Sequence, residues 1–271
     1  KVKSQFLANM SHEIRTPLTT VIGQAEAIIC RDVDSADIYK EVAVIHDSGL
    51  HLLELLNDVL DLTKIEENKF EVKLHAQDLH ELLESIDRMF SIQATRKGLA
   101  FKLSKHLPEP YIVNIDSLRV KQVLINLCSN AVKFTHAGYV ELDVRVDKGQ
   151  LVFTITDTGI GMNAQQSKQA FKSFTQGDAN ISRRFGGTGL GLSLSRGLAE
   201  LMKGSISVSS RLNAGSTFTF SIPADIIYSA KDLMTKTSKL EISTSEQLFS
   251  GTVLLAEDHD DNRRLIARLL T

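Results

Sequence analysis

Over residues 4–29 apolar side chains recur at Leu7, Ile14, Val21 and Ile28, with Met10, Leu18 and Ala25 on a second seam. This heptad-like spacing predicts one long amphipathic helix. A short polar link at 31–35 leads to a second periodic segment, 38–65, with Val42, Ile45, Leu52, Leu56 and Val59 on one face. The two helices are expected to fold back as an antiparallel hairpin, an all-α unit over residues 1–67. Two helices cannot enclose their own apolar stripes, so the expected solution is pairing with a second copy into a dimeric four-helix bundle.

Past Glu67 the pattern shortens. Strands are expected at 70–74, 99–103, 111–115, 139–146, 151–157, 206–210 and 217–222, and helices at 78–96, 117–134 and 190–202. Residues 147–149 read as a hairpin turn, and 158–189 carry little regular pattern. Strands and helices come in uneven groups, which favours α+β, with helices layered on one face of a mixed sheet over 68–223. Pro223 stops the last strand, and a Ser-, Thr- and Lys-rich linker follows over 224–250. Residues 252–256 then read as a buried strand, followed by Glu257, Asp258, Asp260, Asp261 and a helical start at Asn262. Residues 251–271 are too few for a core of their own and are expected to open a further domain. The absence of Met at Lys1 suggests a piece of something longer.

Composition narrows the function classes. The 42% hydrophobic and 24% charged content rules out wholesale disorder. Lys plus Arg is 31 and Asp plus Glu is 33, so no global basic field points to nucleic acid or a membrane surface. No apolar run is long enough to span a bilayer and no signal segment opens the chain, so a cytoplasmic fragment without membrane contact is expected. Cys30 and Cys128 lack ligand spacing and fit a reducing compartment.

Four constellations carry chemistry. His12 lies about 140° round the first helix from its apolar stripe and is expected to face solvent. Glu13 is an adjacent carboxylate that can orient or deprotonate the ring, and Thr16 lies one turn on along that face. Pro17, within the helix, frees the carbonyl of Glu13 and tends to bend the axis. On the 117–134 helix a polar stripe of Arg119, Gln122, Asn126, Asn130 and Lys133 runs beside the apolar Val120, Val123, Leu124, Leu127 and Ala131. Carboxamide oxygens suit Mg²⁺, which shares its ligands with phosphates, and Lys133 can meet phosphate charge. Asp157 ends a strand and is followed by Gly159 and Gly161, which let backbone and ligand approach closely. Last, Gly186, Gly187, Thr188, Gly189, Leu190 and Gly191 form a glycine-rich loop opening a helix, where N–H groups and the helix dipole favour phosphate. Arg183, Arg184 and Phe185 precede it in place of an apolar strand, so a Rossmann reading fails, and no P-loop Lys follows.

In this order the residues resemble the sensor histidine kinases of two-component signalling, whose ATP-binding domain is shared with DNA gyrase B, Hsp90 and MutL. Ser11-His12-Glu13-Ile14-Arg15-Thr16-Pro17-Leu18 resembles the H-box, and Asn126-Leu127-Cys128-Ser129-Asn130-Ala131-Val132-Lys133-Phe134 the N-box. Asp157-Thr158-Gly159-Ile160-Gly161 is similar to the G1 box, 171–174 to the F-box, and Gly187-Thr188-Gly189-Leu190-Gly191-Leu192 to the G2 box. The resemblance implies a helical hairpin followed by an α+β sandwich of the GHKL (Bergerat) type. It implies that His12 is the phosphoacceptor, that Asn126 and Asn130 help hold Mg²⁺, and that Asp157 accepts the adenine amino group of ATP. It also implies that the glycine loop is the hinge of a mobile lid. Residues 252–271 are similar to the opening of a response-regulator receiver, with Glu257 and Asp258 at its acidic pocket, so the parent resembles a hybrid kinase. A receiver, in cis or in trans, is the implied partner, and in this family a Thr at the place of Thr16 is linked to phosphatase activity.

Phosphoryl transfer then requires a neutral imidazole in line with the γ-phosphorus, with Glu13 placed to take its proton. Nucleophile and nucleotide lie on different domains, so the ATP domain must swing, with 66–69 as the expected hinge. A rival reading keeps ATP binding but makes the chain a nucleotide-gated dimer scaffold. A third keeps the fold and makes phosphatase activity the main output.

Overall fold

The structure is a computed structural model and describes residues 2–30, 32–34, 37–67, 69–172 and 189–229. These lie within one compact unit, Lys1–Thr235. Two helices, α1 (Val2–Ile29) and α2 (Ile38–Glu66), open it as an antiparallel pair. Helix α1 continues through Pro17, whose ring is buried. One seam of the hairpin is covered: Leu55 and Leu62 of α2 and Met10 of α1 are buried. The other is not, because Leu18 and Ile22 of α1 and Val42, Leu53, Leu56 and Leu60 of α2 all stay exposed. Val42 and Leu56, expected on one face with Ile45, Leu52 and Val59, thus join the uncovered seam while those three are half-buried.

The remaining described residues form an α+β layer structure. In chain order they are β1 (His75–Asp78), α3 (Leu79–Arg96), β2 (Ala100–His106), β3 (Tyr111–Ile115), α4 (Ser117–Phe134), β4 (Tyr139–Asp147), β5 (Gln150–Asp157), α5 (Ala164–Gln169), α6 (Gly191–Leu201), β6 (Ser205–Ser210), β7 (Ser216–Pro223) and β8 (Ile226–Ser229). A five-stranded sheet runs β2-β4-β5-β7-β6, with β2 parallel to β4 and the other pairs antiparallel. Alternation along its strands sends Val140, Leu142, Val144, Leu151, Phe153, Ile155, Phe218, Phe220 and Ile222 to one face, where all are buried. That face meets the apolar stripes of α3, α4 and α6 in a single core, with Phe153 and Phe220 stacked at 5.3 Å between ring centroids.

Helix α4 starts where expected because Asp116 caps it, its carboxylate accepting the N–H of Arg119 at 3.2 Å. All of its predicted apolar positions are buried. The β4–β5 hairpin turns on Lys148 and Gly149, both with positive φ (49° and 76°), as a two-residue turn of this hand requires.

Four expectations need correction. Residues 70–74 are not a strand: Phe70 lies under the Arg119 guanidinium, the Lys73 N–H is taken by Asp116, and pairing begins at His75. Residues 226–229, assigned to the linker, are strand β8. Asn114 donates to Asp225 through backbone and side chain and brings β8 to β3, completing a small antiparallel sheet β1-β3-β8. The patternless 158–189 stretch contains α5, nucleated by a capping box between Asn163 and Gln166. Asp147 and Gln150 belong to the strands, which shortens the expected turn. The expected linker beyond 229 and the expected receiver start at 251–271 lie outside the described residues.

Candidate functional site

Strands β5 and β7 pair so that Asp157 lies opposite Ser216. After Leu151, Phe153 and Ile155, the alternation of β5 carries the Asp157 carboxylate to a core-facing place, and it is only 5% exposed. Burial pushes its pKa up, while the Gly159 N–H at 2.8 Å and the backbone and hydroxyl of Ser216 pull the other way. The turn after it is fastened: a side chain at Gly161 would collide with the carbonyl of Arg211, and the Asn213 N–H donates to Ile160 at 2.7 Å.

Asp157 opens into a cavity of about 200 Å³ walled by Phe134, Ile160, Met162 and Phe218, with Asn130 among its polar groups. Phe171 of the F-box stands edge-on to Phe218 at 6.4 Å. An apolar slot with a fixed carboxylate acceptor suits a flat heterocycle bearing an amino group. Ser216 and the α5 residues Gln166 and Gln169 also line it. Only the register opposite Asp157 could have signalled Ser216, and that needs the strand pairing to be known.

The polar stripe of α4 divides into two halves. Asn130 lines the cavity, with Asn126 one turn before it on α4 and Lys133 three residues after it. There the Asn126 Nδ2 donates to the Ser195 Oγ at 2.8 Å, and the Asn130 Nδ2 donates to the Asn126 Oδ1 at 3.4 Å. Burial and the nearby Lys97 ammonium push the Lys133 pKa down, and its Nζ lies 5.3 Å from the Phe134 ring centroid. Arg119 and Gln122 instead reach the hairpin. The Arg119 Nη1 is 2.8 Å from the Asp61 Oδ2 on α2, with Gln122 donating to the same oxygen at 3.4 Å. Asp61 is one sequence reasoning missed, since its partner is distant in the chain. One turn away on α2, burial together with Glu54 and Asp61 pushes Asp58 up to about 6.

Of the glycine loop, Gly189, Leu190 and Gly191 are described; Gly187 and Thr188 lie outside the described residues, as do Gly186 and the second half of the F-box. Leu190 is 0% exposed and packs with Met10 of α1 and Leu62 of α2. Met10 is two residues before His12, so the loop that opens α6 and the helix turn carrying His12 share one apolar seam. Glu13 is half-buried on that helix and Thr16 is exposed. Gly197 of α6 lies against Ile65, which extends the same contact.

Among the described residues no group of three or more His, Cys, Asp or Glu is placed to hold a metal. The Asn130 carboxamide oxygen at the cavity is a hard donor, and it fits Mg²⁺ shared with phosphates. No helix among the described residues is long and apolar enough to cross a membrane.

Two family models match the chain: the His Kinase A (phospho-acceptor) domain over residues 2–68, and the histidine kinase-, DNA gyrase B- and HSP90-like ATPase over residues 115–226. The autoinducer 2 sensor kinase/phosphatase LuxQ of Vibrio vulnificus is 38% identical over 97% of this chain and 31% of its own length. The sensor protein EvgS of Escherichia coli O157:H7 is 35% identical over 99% of this chain and 22% of its own. Among solved structures, full-length ShkA in complex with AMPPNP superposes with a TM-score of 0.64 at 31% identity, covering 84% of this chain and 47% of that one. The chain therefore spans about a third or less of the curated relatives it matches. It carries, in this order, the His Kinase A (phospho-acceptor) domain and the histidine kinase-, DNA gyrase B- and HSP90-like ATPase domain, the two domains of a protein histidine kinase.

Proposed function

We propose that this chain binds ATP with Mg²⁺ in the Asp157 cavity, phosphorylates His12, and passes the phosphoryl group to an aspartate of a response-regulator receiver. The observation that carries the reading is the cavity itself: an apolar slot with one buried, fixed carboxylate and a carboxamide at its rim. Asp157 accepts the adenine amino group. Lys133 and the N-terminus of α6, with Gly187, Thr188, Gly189, Leu190 and Gly191, meet the phosphates. Asn130 holds Mg²⁺ with Asn126 behind it, and the ion neutralises phosphate charge when bound.

In the forward step an imidazole nitrogen of His12 attacks the γ-phosphorus. The bond from that phosphorus to the bridging oxygen breaks, ADP leaves, and Glu13 takes the ring proton. Reaching His12 requires the ATP layer to move against the hairpin. The pivot is at 66–69, because the chain just downstream is tied to the ATP layer by Phe70 under Arg119 and by Lys73 on Asp116. The uncovered seam of Leu18, Val42, Leu53, Leu56 and Leu60 is covered by a second copy, making a homodimer. Thr16, exposed one turn from His12, positions water for receiver dephosphorylation, in keeping with a relative named as a kinase/phosphatase.

The test is His12→Gln. Autophosphorylation is expected to vanish while ATP affinity stays at the level of the unaltered protein, since nucleophile and nucleotide site are on separate elements. Retained labelling would overturn the assignment of His12, and lost ATP affinity would overturn the division of labour.

A further inference from the structure

We infer that Ser195 is a positioning residue for the metal end of the nucleotide site, acting through Asn126 on Asn130. The inference rests on the Mg²⁺ reading above. Ser195 sits on α6, outside every motif that the sequence singles out, and is 2% exposed. Its hydroxyl oxygen accepts the Nδ2–H of Asn126 at 2.8 Å, a bond between helices formed by residues 69 apart in the chain.

That bond holds the Nδ2 end of the Asn126 carboxamide toward α6. With Nδ2 on Ser195, the Oδ1 end turns to Gly191 and Asn130. The Oδ1 lies so close to the Gly191 α-carbon that a side chain there would collide with it. The same oxygen accepts the Nδ2–H of Asn130 at 3.4 Å, one helical turn along α4. Asn130 lines the cavity. With its Nδ2 committed to Asn126, its oxygen is the end presented to a ligand.

The distinction matters because the two ends of a carboxamide are nearly equal in shape and opposite in chemistry. An oxygen binds a hard cation, whereas an amide N–H₂ turned to the same place presents positive hydrogens to it. Asn130 alone could rotate between the two. The chain of bonds from Ser195 through Asn126 favours the arrangement with the Asn130 oxygen outward, as partners behind a metal ligand commonly do. It also gives Asn126 and Asn130 different parts: Asn130 touches the ion, and Asn126 orients Asn130. Without its hydroxyl, residue 195 would leave Asn126 free to turn over, and the Asn130 oxygen would lose its fixed direction. Adenine recognition at Asp157 does not depend on the relay and should not notice.

Binding of a fluorescent ATP analogue to the full chain, titrated once with Mg²⁺ and once with EDTA, separates the alternatives. In the unaltered protein Mg²⁺ is expected to strengthen binding; no strengthening would refute the Mg²⁺ reading itself, whatever Ser195 does. Given that strengthening, Ser195→Ala is expected to weaken binding in Mg²⁺ by about 10-fold or more, the scale for lost partners behind a metal ligand. Binding in EDTA should be unchanged, and Ser195→Thr, which keeps the hydroxyl, should restore the Mg²⁺ effect. A Ser195→Ala variant with an unaltered ratio of the two affinities, or with both falling together, would overturn the relay. Hydrogen exchange of the Asn126 side-chain amide in the unaltered protein decides independently of any variant. Protection is expected, and exchange at the rate of a free amide would overturn the proposal.

Discussion

Replacing Asp157 by Asn should separate nucleotide affinity from stability. The carboxylate is buried, and the Gly159 N–H and both donors of Ser216 do not fully offset its desolvation, so its pKa stands above the ordinary carboxylate value. In the empty protein the charge is therefore a cost, and a neutral amide of the same shape removes it. In the proposed complex the same charge accepts the adenine amino group. A hydrogen bond to a charged partner contributes about 1.5–3 kcal/mol, so Asp157→Asn should weaken ATP binding roughly 10- to 150-fold. The melting temperature of the nucleotide-free variant should hold or rise.

The pH dependence follows with its sign. A carboxyl whose folded pKa is raised contributes stability that is fully present below its unfolded pKa and is lost as pH rises through the folded one. ATP affinity runs the other way, because the charged acceptor exists only above the folded pKa. The unaltered protein should lose affinity on acidification through that value, and Asp157→Asn should lack this step. Calorimetric titration with ATP across pH, paired with thermal melts, measures both. Unchanged affinity would refute the adenine-acceptor role. Loss of affinity together with a lower melting temperature would show that Asp157 only supports the fold.

Further consequences concern Asn130, Thr16 and Asp61. Asn130→Asp adds a negative charge beside the triphosphate and should lower phosphoryl transfer by a factor of about 10²–10³, the scale of a lost electrostatic contact; near-normal labelling of His12 would place Asn130 outside the site. Thr16→Ala should strongly slow dephosphorylation of a receiver supplied in trans and leave autophosphorylation nearly intact, whereas a parallel loss of both would reduce Thr16 to a helix-shaping residue. Asp61→Asn breaks the 2.8 Å ion pair that ties α2 to Arg119. If the ATP layer must leave this position to reach His12, losing about 1 kcal/mol of attachment should raise the initial autophosphorylation rate about fivefold. A slower rate at unchanged ATP affinity would mean that the ion pair belongs to the productive arrangement.

The parts of this fold that were legible in the sequence are those written in local periodicity. Helix α4 could be bounded at Ser117 and Phe134 because its cap, its apolar stripe and its polar stripe all lie within one segment. The alternation of Tyr139, Glu141 and Asp143 with Val140, Leu142 and Val144 marked β4 in the same way. Where a distant residue competes for local groups, the pattern misleads: Phe70 and Val72 alternate like a strand, but Arg119 and Asp116 hold that stretch against the ATP layer. Strand β8 was hidden for the opposite reason, since four residues after a proline show no pattern until β3 pairs with them. Of the proposed site residues, His12, Asn130 and Asp157 stand inside motifs. Ser195 and Asp61 do not, because each acts on α4 through a contact that only the folded chain creates.

The central claim is that ATP held in the Asp157 cavity phosphorylates His12. Incubating the purified chain with γ-phosphate-labelled ATP and Mg²⁺, then mapping the label by mass spectrometry and by its stability to acid and alkali, tests it most directly. An acid-labile, alkali-stable phosphate on His12, absent from Asp157→Asn at ATP concentrations that saturate only the unaltered protein, is the predicted result. Bound ATP without any protein label, or a label on another residue, would contradict it and favour a nucleotide-gated scaffold.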